Sequence, residues 1–282
     1  MNAIARAVPD GTFDIGIGGL WVRLRTDSSA FVRELSERFA GFLGKVVQPD
    51  HVFDIDLVDS PFGDTQHASG HAEDDVVHVT RNGPLWQVRR GDFFAEWNPR
   101  LRHGHARMVP SPYSLDSVIR ILHTLILAEQ GGMLMHASSV AQDGRAWVFT
   151  GVSGAGKTTI SSLAPPDAHI LTDEMSFIRP EDGNYFAHGT PFSGELGRPG
   201  ENLRAPLAGV FLLAQGPENR IDPLSPAEAV RALMTNILYF ARDDALTARV
   251  FDNAIALAAR VPVRRLTFVP DNRVWDLISE QP

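Results

Sequence analysis

The sequence predicts an α/β protein: a phosphate-loop domain built on a mixed sheet, preceded by a strand-rich α+β region. Three observations lead there. Residues Gly151-Val152-Ser153-Gly154-Ala155-Gly156-Lys157-Thr158 set two glycines around four residues and follow them with Lys and Thr. A strand-like run, "RAWVFT", enters this octet, and a helical run leaves it. The first hundred residues mostly alternate apolar with polar residues, which is the period of a half-buried strand.

The elements follow in order. "TFDIGIGGLWVRLR" alternates Phe13, Ile15, Ile17, then Leu20, Val22, Leu24, as strands do. "SSAFVRELSERFAGFLG" spaces Phe31, Leu35, Phe39 and Phe42 as a helix, with Gly44 placed to cap its end. "HVFDIDLVD", "DVVHVTR" and "PLWQVRRGDFFAEW" read as strands, the last turning at Arg90-Gly91; residues 60 to 75 read as a polar loop. Pro110 and Pro112 mark a boundary, giving an N-terminal accessory domain over 1–112 and a second domain over 113–282. The accessory domain is expected to recognise the acceptor or mediate assembly.

Beyond the boundary, "SLDSVIRILHTLILAEQGG" is a helix ended by Gly131-Gly132. "MLMHASSVA" and "RAWVFTG" are strands joined by the turn signal "QDG", so they are expected to pair antiparallel. The helix after the glycine loop must be short, because Pro165-Pro166 stops it. "AHILTDEMSFI" reads as one buried strand run carrying Asp173-Glu174, and "APLAGVFLLAQ" as another. "SPAEAVRALMTNIL" is a helix with Ser225 as N-cap, Pro226 at its first position and Glu228 closing a capping box. "DALTARVFDNAIALAAR" is a further helix and "VRRLTFVPD" a late strand.

Composition removes several classes of function. Of 282 residues, 44% are apolar and 21% charged, as in ordinary globular proteins. A formal net charge of −8 does not attract nucleic acid or anionic membranes in bulk, so neither is expected as a partner. The absence of cysteine rules out disulfides and thiolate metal sites. "MNAIARAVPDGTFDIGIGG" lacks the apolar segment of a signal peptide, and no apolar run approaches the ~18 residues of a membrane span. A cytoplasmic protein is expected.

The glycine octet carries the most specific chemistry. Backbone N–H groups in such a loop point at a nucleotide β-phosphate. Gly151, Ser153, Gly154, Ala155, Gly156, Lys157, Thr158 and Thr159 are the expected nucleotide contacts, with Lys157 spanning the β- and γ-phosphates and the Thr158 hydroxyl on Mg²⁺. Only Lys45 and Lys157 are lysines among 26 basic residues, so a lysine in this loop stands out against an arginine-rich background. Asp173-Glu174 follow Lys157 by sixteen residues; a carboxylate there could hold Mg²⁺ or take a proton from an attacking hydroxyl. His136 lies on the strand expected to pair with the loop strand. "GTPFSGELGRPGENLR" is a Gly- and Pro-rich stretch whose Arg198 and Arg204 could offset charge on a transferring phosphoryl group. His67 and His71, and His103 and His105, lack a complete metal-ligand set, and "RLRHGHAR" reads as a solvated basic strand edge.

Taken together, "MLMHASSV", "WVFTGVSGAGKTT", "ILTDEMSFI" and "GTPFSGELG" resemble the catalytic domain of the HPr kinase/phosphorylase family over roughly residues 113 to 282. The resemblance implies a phosphate-loop kinase fold akin to the phosphoenolpyruvate carboxykinases, with a mixed sheet. It implies the use of ATP and Mg²⁺ to phosphorylate a hydroxyl, typically serine. By position, Lys157 and Thr158 match the nucleotide and metal contacts, and Asp173 matches the base for the acceptor hydroxyl. Glu174 stands where a second aspartate is usual and is expected near the metal, with Glu195 as a further metal ligand; His136 matches the active-site histidine. Where that family carries a "GLGIIN"-like stretch this chain has "FSGELGRPG", which argues against HPr as the acceptor and against a reverse phosphorylase reaction. Similar kinases of this size are encoded with peptide natural-product pathways and act on a serine of a precursor peptide. The family also tends to form homo-oligomers.

The leading expectation is therefore an ATP-dependent kinase acting on a serine of a peptide or protein. A small-molecule kinase of the shikimate- or nucleotide-kinase type also places an acidic residue soon after the loop, but its chain usually begins with the loop strand. A phosphate-loop ATPase switch or motor usually needs a longer interval before the acidic strand. A nucleotide-binding scaffold with a degenerate site is opposed by the presence of Lys157, Thr158 and Asp173 together.

Overall fold

The computed structural model describes residues 11–62 and 76–281. It is a mixed α/β structure with two large mixed sheets and few helices. The chain forms two units: one runs through Leu122 and takes in Phe240–Asp243, and the other is His123–Tyr239 with the chain from Asp244 onward. The expected loop at 60–75, with His67 and His71, lies mostly outside the described residues, as does the N-terminal stretch before Gly11.

In the first unit, β1 (Thr12–Ile17) and β2 (Leu20–Arg25) form a hairpin. Gly18 and Gly19 turn it at φ 60° and 76°, where glycine has no steric cost. Helix α1 (Ser29–Arg38) starts at Ser28, whose side chain accepts the Phe31 N–H. The helix is capped at Phe39, and Gly44 instead lies in the two-residue strand β3 (Leu43–Gly44). The reason is local packing: a Cβ at Gly44 would collide with the Trp21 ring.

Strands β4 (His51–Leu57), β5 (His78–Asn82), β6 (Leu85–Arg90), β7 (Phe93–Asn98) and β8 (His103–Met108) complete a sheet in the order β3-β1-β2-β4-β8-β7-β6-β5. One face is apolar and buried, with Ile15, Leu24, Phe53, Trp97 and Met108. The other is a polar ladder, with the ion pairs Arg23–Asp14 at 2.7 Å and Arg25–Asp54 at 2.6 Å and a hydrogen bond between His105 and Asp56 at 2.9 Å. The alternation of the strands sorts the two sets.

Helix α2 (Pro112–Glu129) begins at the proline pair. The division between units falls within it, after Leu122, because Asp116 and Ser117 in its first turns bind Arg38 and Arg90 of the first unit.

In the second unit, β9 (Met133–Gln142) and β10 (Arg145–Thr150) pair antiparallel. After the glycine loop come α3 (Lys157–Ser162), β11 (His169–Thr172), β12 (Met175–Glu181), β13 (Asn184–His188), β14 (Arg204–Gln215), β15 (Arg220–Pro223), α4 (Pro226–Asn236), α5 (Asp244–Ala258), β16 (Val263–Phe268) and α6 (Arg273–Ser279). Strand β10 lies between β9 and β14, parallel to the latter, and β14 is parallel to β16. Because β9 also pairs with β12, β12 with β13, and β13 with β14, the pairings close a ring: β10–β9–β12–β13–β14–β10.

Two apolar clusters fill the unit. One joins Met135, Val148, Ile178 and Val210 to Leu233 of α4 and Leu257 of α5. The other joins Trp147, Phe149 and Phe211 to Ile160 of α3 and Trp275 of α6. Trp275 Nε1 donates to the Ile160 carbonyl at 3.0 Å, tying α6 to the helix that leaves the glycine loop.

Candidate functional site

The glycine loop sits between the end of β10 and the start of α3, with β9 and β14 on either side of its strand. Its three glycines have φ 154° at Gly151, 77° at Gly154 and 103° at Gly156. Gly154 and Gly156 occupy backbone space that other residues rarely enter. At Gly156 there is a second constraint, since a Cβ would stand 2.7 Å from Phe268 of β16. Gln215, at the end of β14, donates to the Gly154 carbonyl at 2.9 Å.

Lys157 is only 9% exposed. Its Nζ donates to the Gly151 carbonyl at 3.2 Å and to the Val152 carbonyl at 3.4 Å. The ammonium thus folds onto neutral carbonyls of its own loop. Thr158 and Thr159 occupy the first turn of α3, and Ser153 is exposed on the loop.

The acidic pair is tied to the same place through β9. Sequence reading treats "AHILTDEMSFI" as one strand; the structure breaks it into β11 and β12 at Asp173-Glu174. The Thr172 hydroxyl causes the break by accepting the N–H groups of Glu174 and Met175, both at 3.1 Å. On either side of the break, Thr172 pairs with Ser139 and Met175 with His136. The register along β9 shifts between Ile170 and Thr172 and is then kept across the break, where the Ala137 N–H donates to the Glu174 carbonyl. On β9 itself, the Ser138 hydroxyl donates to the Lys157 carbonyl at 3.1 Å, and Thr150 Oγ1 donates to the His136 carbonyl at 3.1 Å. His136, the glycine loop and the acidic pair therefore share one strand as their common frame.

The two carboxylates have different surroundings. Asp173 is 3% exposed, and its oxygens accept the backbone N–H groups of Gly194 at 2.8 Å and Leu196 at 2.7 Å. Glu174 has a side chain 30% exposed, with Oε2 3.9 Å from His136 Nε2, whose side chain is 43% exposed. Glu195 lies between the two residues that bind Asp173, and both it and Arg198 are exposed. Arg204 is committed elsewhere: it pairs with Glu181, and its guanidinium carbon is 4.9 Å from the Phe186 ring centroid. His103 and His105 belong to the ion-pair face of the first unit. Among the described residues, no group of three or more His, Asp or Glu converges as a metal cage.

Several residues that build the site escape sequence reading: Ser138, Thr150, Thr172, Thr190 and Gly194. Thr190 Oγ1 donates to the Met175 carbonyl at 3.0 Å and holds the loop that covers Asp173. The available signal is a hydroxyl within an otherwise apolar strand beside a glycine loop, as in "MLMHASSV" and "VFTG".

The structure thus defines a class: a mixed α/β protein with a glycine loop between strand and helix and an acidic pair on the adjoining strand line. A family model described as SynChlorMet cassette protein ScmC matches residues 113–281, more than half of the chain, and the chain belongs to that family. No curated protein matches it. Among the described residues, no helix is long and apolar enough to cross a membrane.

Proposed function

We propose that this chain is an ATP-dependent kinase that transfers the γ-phosphoryl group to a hydroxyl, a serine of a peptide or protein. The observation that carries the reading is Lys157, a nearly buried ammonium resting on the carbonyls of Gly151 and Val152 in a loop of positive-φ glycines. Such a cation fits a phosphate oxygen better than it fits neutral carbonyls. The resemblance to HPr kinases supports the reading, and so does the acidic pair beside the loop. A phosphate-loop kinase fold in the second unit, ATP and Mg²⁺ belong to the same proposal.

The residues fit Mg²⁺·ATP. The octet from Gly151 would cradle the phosphates, and Thr158 would supply an oxygen to Mg²⁺, which needs only one or two protein ligands beside phosphate and water. By the resemblance, Glu195 would be a further oxygen donor to the metal. The nucleotide supplies the phosphoryl group. The protein's own part is to hold the γ-phosphate against Lys157, orient the acceptor hydroxyl, and offer a carboxylate for its proton.

The test is mass spectrometry of peptides encoded by neighbouring genes, a search to which the family's description as a cassette protein points, after incubation with Mg²⁺·ATP. One added phosphate on a serine supports the proposal. Lys157→Met should lose both nucleotide binding and transfer. Wild-type protein that binds no Mg²⁺·ATP in calorimetry would sink it.

A further inference from the structure

Asp173 and Glu174 are adjacent, yet the fold treats them differently. Both oxygens of Asp173 already accept backbone N–H groups, from Gly194 and Leu196, and the side chain is buried. The loop cannot easily back away, because the Thr190 hydroxyl is fixed to the Met175 carbonyl and the Gly200 and Glu201 amides bind the carbonyls of Thr190 and Ile170. Gly194 lies so close that a Cβ there would stand 2.9 Å from Glu174 Oε2 and 3.0 Å from Asp173 Oδ2. A carboxylate enclosed in this way has little room for a substrate oxygen. Glu174 is partly open, and its neighbour is a partly exposed histidine on the strand that carries Ser138 and meets the loop strand.

Resting on the kinase reading, we propose that Asp173 is a positioning residue that fastens the 194–196 segment over the site. In this assignment Glu174, flanked by His136, receives the acceptor's proton. As the hydroxyl oxygen forms its bond to the γ-phosphorus, the bond from that phosphorus to the bridging oxygen of ADP breaks. The hydroxyl proton passes to the Glu174 carboxylate, and ADP leaves with the bond's electron pair. This division departs from what the family resemblance implies for Asp173.

The experiment uses the full chain with Mg²⁺·ATP and water as the acceptor, reading orthophosphate release and amide hydrogen exchange. Glu174→Gln should lower kcat by about 100-fold or more, the usual worth of a proton-accepting group. Its KM for Mg²⁺·ATP and its exchange at Gly194 and Leu196 should stay as in wild type. Asp173→Asn should speed exchange at those two amides and lower kcat by less than about 10-fold, well short of that worth. Leu196→Pro deletes one of the donors without touching either carboxylate, and should reproduce the Asp173→Asn pattern even if that variant folds poorly. Loss of about 100-fold in Asp173→Asn with the loop still protected, or without a matching loss in Leu196→Pro, overturns the assignment. So does a Glu174→Gln protein within about 10-fold of wild type. Wild-type protein that neither binds Mg²⁺·ATP nor releases phosphate is a different result: it removes the kinase reading, and this assignment with it.

Discussion

At the scale of single residues, the site depends on backbone shapes that only particular side chains permit. Gly156 combines φ 103° with the Phe268 ring 2.7 Å from where a Cβ would stand. Gly156→Ala should therefore destabilise the second unit by about 2 kcal/mol, through strain and overpacking together, and weaken nucleotide binding. Thermal unfolding and calorimetry with Mg²⁺·ATP would read the two effects separately. An ion pair of the first unit shows a different dependence. Burial alone would raise the Asp14 carboxyl, but the bonds from Arg23 and the Val46 amide, with the Arg23 charge, outweigh it and hold the group below its ordinary range. The motif itself is legible residue by residue, because glycine spacing and the Lys-Thr that follows are local facts. The tie between Asp173 and Gly194 is not, because nothing in the spacing of twenty-odd residues says that a loop returns to cover a carboxylate.

At the scale of elements, local signals and tertiary ones separate in the same way. The capping box of α4 can be read from "SPAE", and in the structure Ser225 and Glu228 satisfy each other's backbone N–H groups. Ser225→Ala should cost about 1 kcal/mol, measured by denaturant unfolding. The hairpin of β9 and β10 is equally legible, since "QDG" supplies its turn; Asp143 and Gly144 there have φ 52° and 72°. The end of α1 is not legible. Gly44 has the spacing of a helix cap, yet its value lies in the missing side chain beneath Trp21, a partner on β2. The break between β11 and β12 is hidden for a related reason. Apolar continuity runs through "ILTDEMSFI", and one threonine hydroxyl diverts the backbone by taking two amides that a plain strand would aim sideways.

At the scale of the whole molecule, acid is the expected weak point, and each unit carries a buried histidine responsible for it. Burial, and secondarily the Arg179 charge, lower the pKa of His188 from 6.5 to about 4, although Glu181 stands 3.1 Å away. Burial lowers His51 in the same direction. In the unfolded chain these groups bind a proton near pH 6.5, and in the folded chain only at lower pH. Stability is therefore fully present above about pH 6.5 and falls as the pH drops toward 4, by at most about 3 kcal/mol for His188. Denaturant unfolding at pH 7.5 and pH 5 should show this loss in the second unit, and His188→Gln should reduce the difference between the two. The closed ring of pairings also has a bearing on synthesis. A ribosome that has released the chain only through His188 holds β10 beside β9 with its other edge bare, because β14 has not yet emerged. The Gln215 amide that grips the Gly154 carbonyl arrives later still. The glycine loop is thus translated early in its unit and completed late. Closure across so long a stretch of chain is slow, and the nascent unit is most exposed to mispairing while it waits.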